Sequence, residues 1–242
     1  MEIRIDAGRV TGLLLAIVAL LAGAHVLAMV LRFELGFSYA FGLIDTFNLN
    51  FENNVPTFFS AFLLLFAAVL LAVQAGIESG SWSSVYWRWL AVIFAFLALD
   101  EDASLHELLI DPVRTALSLA AGPLQFAWTI PYGVLLIVLA AIFVRFVGTL
   151  PPRTRHRFVV AAAIYLGGAM GCELVAGWYL AWNADVEDLG YHILVGVEES
   201  LEMGGVVVFI HALLEHIAGS LAGQPLRISV AARRQGSASR SR

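Results

Sequence analysis

Acidic residues and histidines interrupt three of the most apolar segments of this chain. They occur in FLALDEDASLHELL (residues 96–109), GCELVAGW (171–178) and YHILVGVEESLEMGG (191–205). A charged side chain at the centre of a membrane helix costs roughly 2.5–3.5 kcal/mol, so five deep carboxylates would cost on the order of 12–17 kcal/mol. These carboxylates must therefore be protonated, be solvated in a water-filled cavity or bind a cation.

A bound cation suits this set of side chains best. Carboxylate-bridged two-metal sites in helical bundles use about four carboxylates and two histidines. Six residues supply that count and are the predicted metal ligands: Asp100, His106, Glu107, His192, Glu199 and Glu202. Oxygen and nitrogen ligands allow Fe, Mn, Zn, Mg or Ca and exclude thiophilic ions. We therefore expect a divalent metal ion as the cofactor.

Three further acids complete the predicted site. Glu173 and Glu198 are expected to carry protons as the catalytic residues, because they neighbour the ligand set without being needed in it. Glu52 lies in the long loop before the second apolar run, and we expect it to cover the outer mouth of the site as a lid. Asn54 followed by Pro56 predicts the start of the next helix.

Helix geometry places these residues in one slab of the membrane. At about 1.5 Å per residue, Asp100 lies roughly 16 Å and Glu173 roughly 22 Å from the inner surface, and Glu202 about 16 Å from the outer one. At about 100° per residue, Asp100 and Glu107 share one face of a helix. A cluster of protonated, hydrogen-bonded acids that only specifies helix packing would show the same shared depth and shared face. This alternative stays open.

The composition indicates that lipid is the solvent of this protein. Hydrophobic residues make up 60% of the 242, and charged residues only 14%, compared with about 25% in a soluble domain. The chain has no lysine, which excludes a Schiff base, and its one cysteine, Cys172, excludes an intrachain disulfide and a cysteine metal site. It lacks a basic patch with interleaved aromatic residues, so we expect no nucleic acid partner.

Six apolar runs are long enough to cross a bilayer, which requires roughly 20 residues each. The predicted fold is an all-α integral membrane protein, a six-helix transmembrane domain over 1–222, with spans near 10–31, 56–76, 88–110, 126–148, 157–181 and 190–217. Residues 223–242 predict a disordered basic cytoplasmic tail. Glycines at 167, 168, 171, 204 and 205 predict close packing between the fifth and sixth spans.

The arginines predict the orientation of the spans. With the N-terminus inside, 12 of the 14 arginines fall on inner segments and only Arg32 and Arg114 on outer ones. Both termini are therefore predicted to be cytoplasmic, in a plasma (inner) membrane of bacterial type. Residues 1–24 resemble a cleavable signal peptide, but the apolar run continues to Leu31, so we expect the segment to be retained.

Together these features predict a membrane-embedded, metal-dependent enzyme that acts on a lipid-like or amphipathic substrate entering from the bilayer. A cation- or proton-coupled transporter or channel component would use the same acids as a binding and relay site. A non-catalytic subunit or sensor with a structural cation is a third interpretation. Membrane lipids are the expected partners in every case.

Overall fold

The computed structural model describes residues 5–120 and 122–221, and within them every regular element is helical. Nine α-helices follow in chain order: α1 (Ala7–Phe33), α2 (Leu43–Phe47), α3 (Val55–Ile77), α4 (Ser83–Ala103), α5 (Ile110–Leu117), α6 (Thr129–Thr149), α7 (Pro152–Leu166), α8 (Glu173–Trp182) and α9 (Leu189–Ser220). A π-helical turn, Gly167–Cys172, joins α7 to α8. The predicted basic tail, 223–242, lies outside the described residues.

Among the described residues, five helical segments are long and apolar enough to cross a membrane: α1, α3, α4, α6 and the continuous Pro152–Trp182 segment. The protein is therefore a multi-pass membrane protein, and its described part is all-helical. The sixth predicted span corresponds to α9, a helix of 32 residues that carries Glu198, Glu199, Glu202 and Glu215. Its length of about 48 Å exceeds the 30 Å or so of a hydrocarbon core.

Helix α9 forms the centre of the bundle. It packs against α1, α3, α7 and α8, and Met203, Val207, Ile210 and Leu213 on it have no exposed surface. Close approach to α7 is possible because Gly205 has no side chain: a Cβ there would lie 2.7 Å from the backbone nitrogen of Tyr165. The predicted close packing of glycines holds at 168 and 205, whereas 167, 171 and 204 face open space.

The third span is shorter than the sequence predicts. It was expected over 88–110, but α4 runs from Ser83 to Ala103 and ends because Ser104 adopts the left-handed conformation (φ 48°). His106 and Glu107 therefore lie in the turn beyond α4, not on its polar stripe. The predicted start at Asn54 is confirmed, since its side chain accepts a hydrogen bond from the Thr57 N–H at 3.2 Å.

Helix α6 stands away from the rest of the bundle. Only 11% of the apolar segment of α6 is buried inside the protein, compared with 50% of that of α3. The main helical neighbour of α6 is α4. One face of α6 borders a cavity instead of a packed helix. This separation determines the shape of the site.

Candidate functional site

A cavity of about 1140 Å³ lies between α4, α6, α7 and α9. One part of it is bordered by apolar side chains and the other part by acids. Nine carboxylates line it: Glu52, Asp100, Glu101, Glu107, Glu173, Glu187, Glu198, Glu199 and Glu202. His106 lines it as well, and its described lining includes no arginine. The sequence-predicted acids thus share one cavity although they come from α4, α8, α9 and two loops.

Asp100 organises the turn that follows α4. Its Oδ1 accepts a hydrogen bond from the His106 backbone N–H at 2.8 Å and lies 3.5 Å from His106 Nδ1. Its Oδ2 accepts a hydrogen bond from the Tyr132 hydroxyl of α6 at 3.0 Å. Burial lowers the pKa of His106, but the hydrogen bond and charge of Asp100, with Glu107 and Glu101, outweigh it and raise the net pKa. The Asp100 carboxylate therefore ties α4, the turn and α6 together.

Glu173 is presented to the cavity by the π-helical turn. The turn ends at Cys172, and Glu173 begins α8 immediately after it. Trp128 donates its Nε1–H to Glu173 Oε1 at 2.9 Å. π-Helical turns are rare and recur at functional sites because they change the direction in which following side chains point. Here an acid from the fifth predicted span follows the turn and lines the same cavity as Asp100.

Three glutamates of α9 line the same cavity: Glu198, Glu199 and Glu202. Glu198 and Glu202 are only 8% and 9% exposed, yet both border the cavity. Close contact with Gly168 fixes this part of α9, since a Cβ there would lie 2.8 Å from the Glu198 carbonyl oxygen. Glu199 lies close enough to Glu101, Glu202 and Glu52 for their charges to act on it. Acids from the α2–α3 loop, α4 and α9 thus form one electrostatic cluster.

Glu52 and Glu107 lie at the mouth of the cavity. Both side chains are exposed, and both border it. Partial desolvation at the mouth, together with the charge of Glu101, raises the pKa of Glu52 to about 7. The role of Glu52 as a lid stays a prediction.

His192 is not brought to the cavity. It is 1% exposed, and its ring packs 5.2 Å from Phe33 of α1. The nearest carboxylate is that of Glu187, 4.0 Å from His192 Nε2. The neighbouring His25 donates Nε2–H to the His192 carbonyl at 2.8 Å, and its Nδ1 accepts the Leu49 N–H at 3.0 Å. Both histidines are therefore part of the packing between α1 and α9.

Sequence reasoning missed the aromatic side chains of the site. Trp128, Tyr132, Tyr165 and Tyr191 all border the cavity. The sequence offers little signal for them, because tryptophan and tyrosine near span ends are common in membrane proteins. In the structure, Trp128 and Tyr132 are distinguished by the hydrogen bonds that they donate to Glu173 and Asp100.

Within residues 5–120 and 122–221, no group of three or more His, Cys, Asp or Glu side chains is arranged to hold a metal ion. The acids share the cavity but do not converge on one point. A metal ion would therefore have to draw the carboxylates together by rotation of their side chains.

The fold and the acidic cavity define a multi-pass helical membrane protein with a polar site inside the bundle. Residues 12–217 match the model of a family described as a domain of unknown function, DUF8692. This match covers α1 through most of α9, and the chain belongs to that family. No curated protein and no solved structure matches the chain.

Proposed function

We propose that this protein binds a lipid-like amphipathic molecule in the cavity, with a divalent cation at the acidic end, and acts on it as a membrane-embedded, metal-dependent enzyme. The observation that carries the proposal is the continuity of the cavity, which runs from the carboxylates to apolar residues such as Leu139 and Phe143. Ligand sites are typically apolar cavities with a few converging polar groups. The division between an acidic end and an apolar end matches an amphiphile.

A cation is proposed because nine carboxylates line the cavity and His106 is the one basic side chain among its described lining residues. Five of the six predicted ligands border the cavity: Asp100, His106, Glu107, Glu199 and Glu202. Carboxylates and a histidine suit Fe, Mn, Zn, Mg or Ca. Such an ion would activate water beside the polar end of the amphiphile, and Glu173 and Glu198 are placed to hold or release a proton there.

Metal content tests this proposal directly. We expect about one or two divalent ions per chain by elemental analysis after purification in a neutral detergent, in line with one- and two-metal sites. The Glu199→Gln, Glu202→Gln double variant should lose them. Glu215→Gln is the matched control, since Glu215 also lies on α9 but pairs with Arg157 at the far end. A parent protein without metal would overturn the enzyme proposal, as would equal metal in parent and double variant.

A cation- or proton-coupled transporter is the second candidate, favoured by a further polar cluster near the inner ends of the helices. Gln74 donates Nε2–H to Glu78 Oε1 at 2.6 Å, and His216 Nε2 lies 3.8 Å from the same oxygen. Between this cluster and Glu202, however, α9 presents Val206 and Phe209 to the cavity. Flux measurements in proteoliposomes that contain a pH-sensitive dye distinguish the two proposals. Proton or cation flux in the parent that is absent in Glu202→Gln would favour the transporter and overturn the enzyme proposal.

The proposal includes α9 as a sixth span, with both termini cytoplasmic in a bacterial-type plasma membrane. Supporting it are the length of α9, its packing along α1, α3 and α7, and the arginines at the ends assigned to the cytoplasm. Reporter fusions after residue 221 and within 183–188 test the arrangement. We expect a cytoplasmic signal from the first and a periplasmic signal from the second, and the same side for both would refute the sixth span.

A further inference from the structure

The charge of the cavity restricts the head group that it can accept. Nine carboxylates border it, and His106 is the one basic side chain among its described lining residues. A phosphate or carboxylate head would meet like charges in a region of reduced dielectric, where repulsion is strong. A head group that carries positive charge would instead be attracted by these carboxylates, and only His106 among the described lining residues would repel it.

Two aromatic rings form a corner beside these acids. The rings of Trp128 and Tyr132 have centroids 5.3 Å apart and planes at 87°. Each of these side chains donates a hydrogen bond to a carboxylate. Trp128 donates to Glu173 at 2.9 Å, and Tyr132 donates to Asp100 at 3.0 Å. Ammonium groups bind the faces of tryptophan and tyrosine within about 6 Å of the ring centroid. Aromatic faces backed by two carboxylates suit an amine.

Glu198 provides an independent indication of a ligand. Its side chain is more than nine-tenths buried and borders the cavity. No hydrogen bond from a described side chain reaches its carboxylate. Buried carboxylates are normally paired or hydrogen-bonded. A donor from a bound molecule would satisfy Glu198.

The apolar part of the cavity is long enough for a lipid tail. Its wall on α6 extends from Tyr132 to Val147, which corresponds to about 22 Å along the helix. One leaflet of a bilayer core is about 15 Å thick. The tail of an amphiphile can therefore lie inside the cavity along its whole length while the head remains at the acids.

The cavity opens sideways between α4 and α6. Phe96 of α4 is 45% exposed and Leu135 of α6 is 47% exposed, although both side chains line the cavity. The two helices make few contacts with each other. Lipid tails can therefore enter from the bilayer without passing through water.

We propose that the cavity binds a cationic amphiphile, that is, a long alkyl chain with a primary or quaternary amine. The molecule enters through the opening between α4 and α6. Its amine lies between Trp128, Tyr132 and the carboxylates of Asp100 and Glu173. This inference rests on the proposed function, because it names the class of amphiphile that the same cavity binds. Asp100 is also a proposed metal ligand, so the amine and the divalent cation compete for it, whereas Glu199 and Glu202 remain available to the cation.

Competition among three amphiphiles of equal chain length tests the head group. Hexadecylamine, hexadecanol and hexadecanoic acid are added to metal-free protein in a neutral detergent, and bound ligand is counted by native mass spectrometry. We expect the amine to bind about 10- to 30-fold more tightly than the alcohol, the contribution of a desolvated cation–π contact, and the acid to bind least.

Conservative variants assign the effect to the site. Asp100→Asn with Glu173→Gln should reduce amine affinity about tenfold or more and leave alcohol affinity unchanged, since only the amine loses a charge interaction. Asp102→Asn is the matched control, because Asp102 is exposed on the same helix and does not line the cavity. Equal affinity for amine and alcohol in the parent would overturn the head-group inference and leave amphiphile binding intact. Failure of all three compounds to bind would overturn the proposed function itself.

The lateral route has its own test. Leu135→Trp should slow the uptake of hexadecylamine from vesicles several-fold by filling the opening. Ile137→Trp is the control, since Ile137 is 70% exposed on α6 and does not border the cavity. Unchanged uptake in Leu135→Trp would refute entry between α4 and α6.

Discussion

Adjacent glycines on α9 are predicted to respond in opposite ways to the same substitution. A Cβ at Gly205 would lie 2.7 Å from the backbone nitrogen of Tyr165 and 2.9 Å from its Cα. A Cβ at Gly204 would meet nothing within 4 Å. Gly205→Ala therefore forces α7 and α9 apart beside the cavity, whereas Gly204→Ala adds a methyl group in open space.

The magnitudes follow from two competing effects. Overpacking costs about 1–3 kcal/mol, and the upper half of that range applies because the neighbouring atoms belong to the backbone and cannot rotate away. Replacing glycine by alanine inside a helix increases the free energy of unfolding by about 1 kcal/mol because alanine has the higher helix propensity. Gly205→Ala should therefore destabilise the protein by about 1–2 kcal/mol, and Gly204→Ala should stabilise it by about 1 kcal/mol.

Thermal unfolding in a fixed detergent measures both variants side by side. At about 2–4 °C per kcal/mol for a chain of this size, the melting temperature should fall by roughly 2–8 °C for Gly205→Ala and rise by roughly 2–4 °C for Gly204→Ala. Shifts of the same sign and size would refute the close approach of α7 and α9 at Gly205, and with it the position of Tyr165 at the site.

Two other predictions concern side-chain hydrogen bonds. Tyr132→Phe removes the hydroxyl that donates to Asp100 and should cost about 1 kcal/mol, seen as a lower melting temperature; an unchanged value would contradict the tie between α4 and α6. Asp188 accepts hydrogen bonds from the Tyr191 N–H and the Tyr179 hydroxyl, which lower its pKa. Its stabilising effect is therefore present above its ordinary pKa and is lost as pH falls through the lowered one. The melting-temperature difference between the parent and Asp188→Asn should shrink over that pH range, and a difference independent of pH would refute this role.

The membrane helices could be predicted because their signal is simple. Apolar runs of about 20 residues are sufficient to identify a span, and α1, α3 and α6 begin and end within about three residues of the prediction. The acids of the cavity could be predicted for a related reason: Asp100, Glu173 and Glu202 interrupt such runs, and polar groups in a span turn towards the interior of a bundle.

The remaining features depend on tertiary contacts. No glycine or proline marks the end of α4 at Ser104, so the turn that carries His106 leaves no trace in the sequence pattern. His192 was expected to face the cavity together with Glu199 and Glu202, but it packs against α1. Helix α9 is surrounded by helices, and the same side of α9 contacts different neighbours along its length. Beside His192, α1 crosses so closely that a Cβ at Gly196 would lie 2.9 Å from His25. Helical periodicity cannot distinguish that neighbour from the cavity.

The π-helical turn makes the site dependent on chain length as well as on side-chain chemistry. A Cβ at Gly167 or Gly171 would meet nothing within 4 Å, so a small side chain at either position would fit. The number of residues in the turn matters more, because each residue added or removed rotates the following helix by about 100° and shifts it by about 1.5 Å. Deletion of Gly167 or Gly171 would turn Glu173 away from Trp128 without removing a residue that lines the cavity. The spacing between α7 and α8 is thus itself a functional element, encoded in a count of residues.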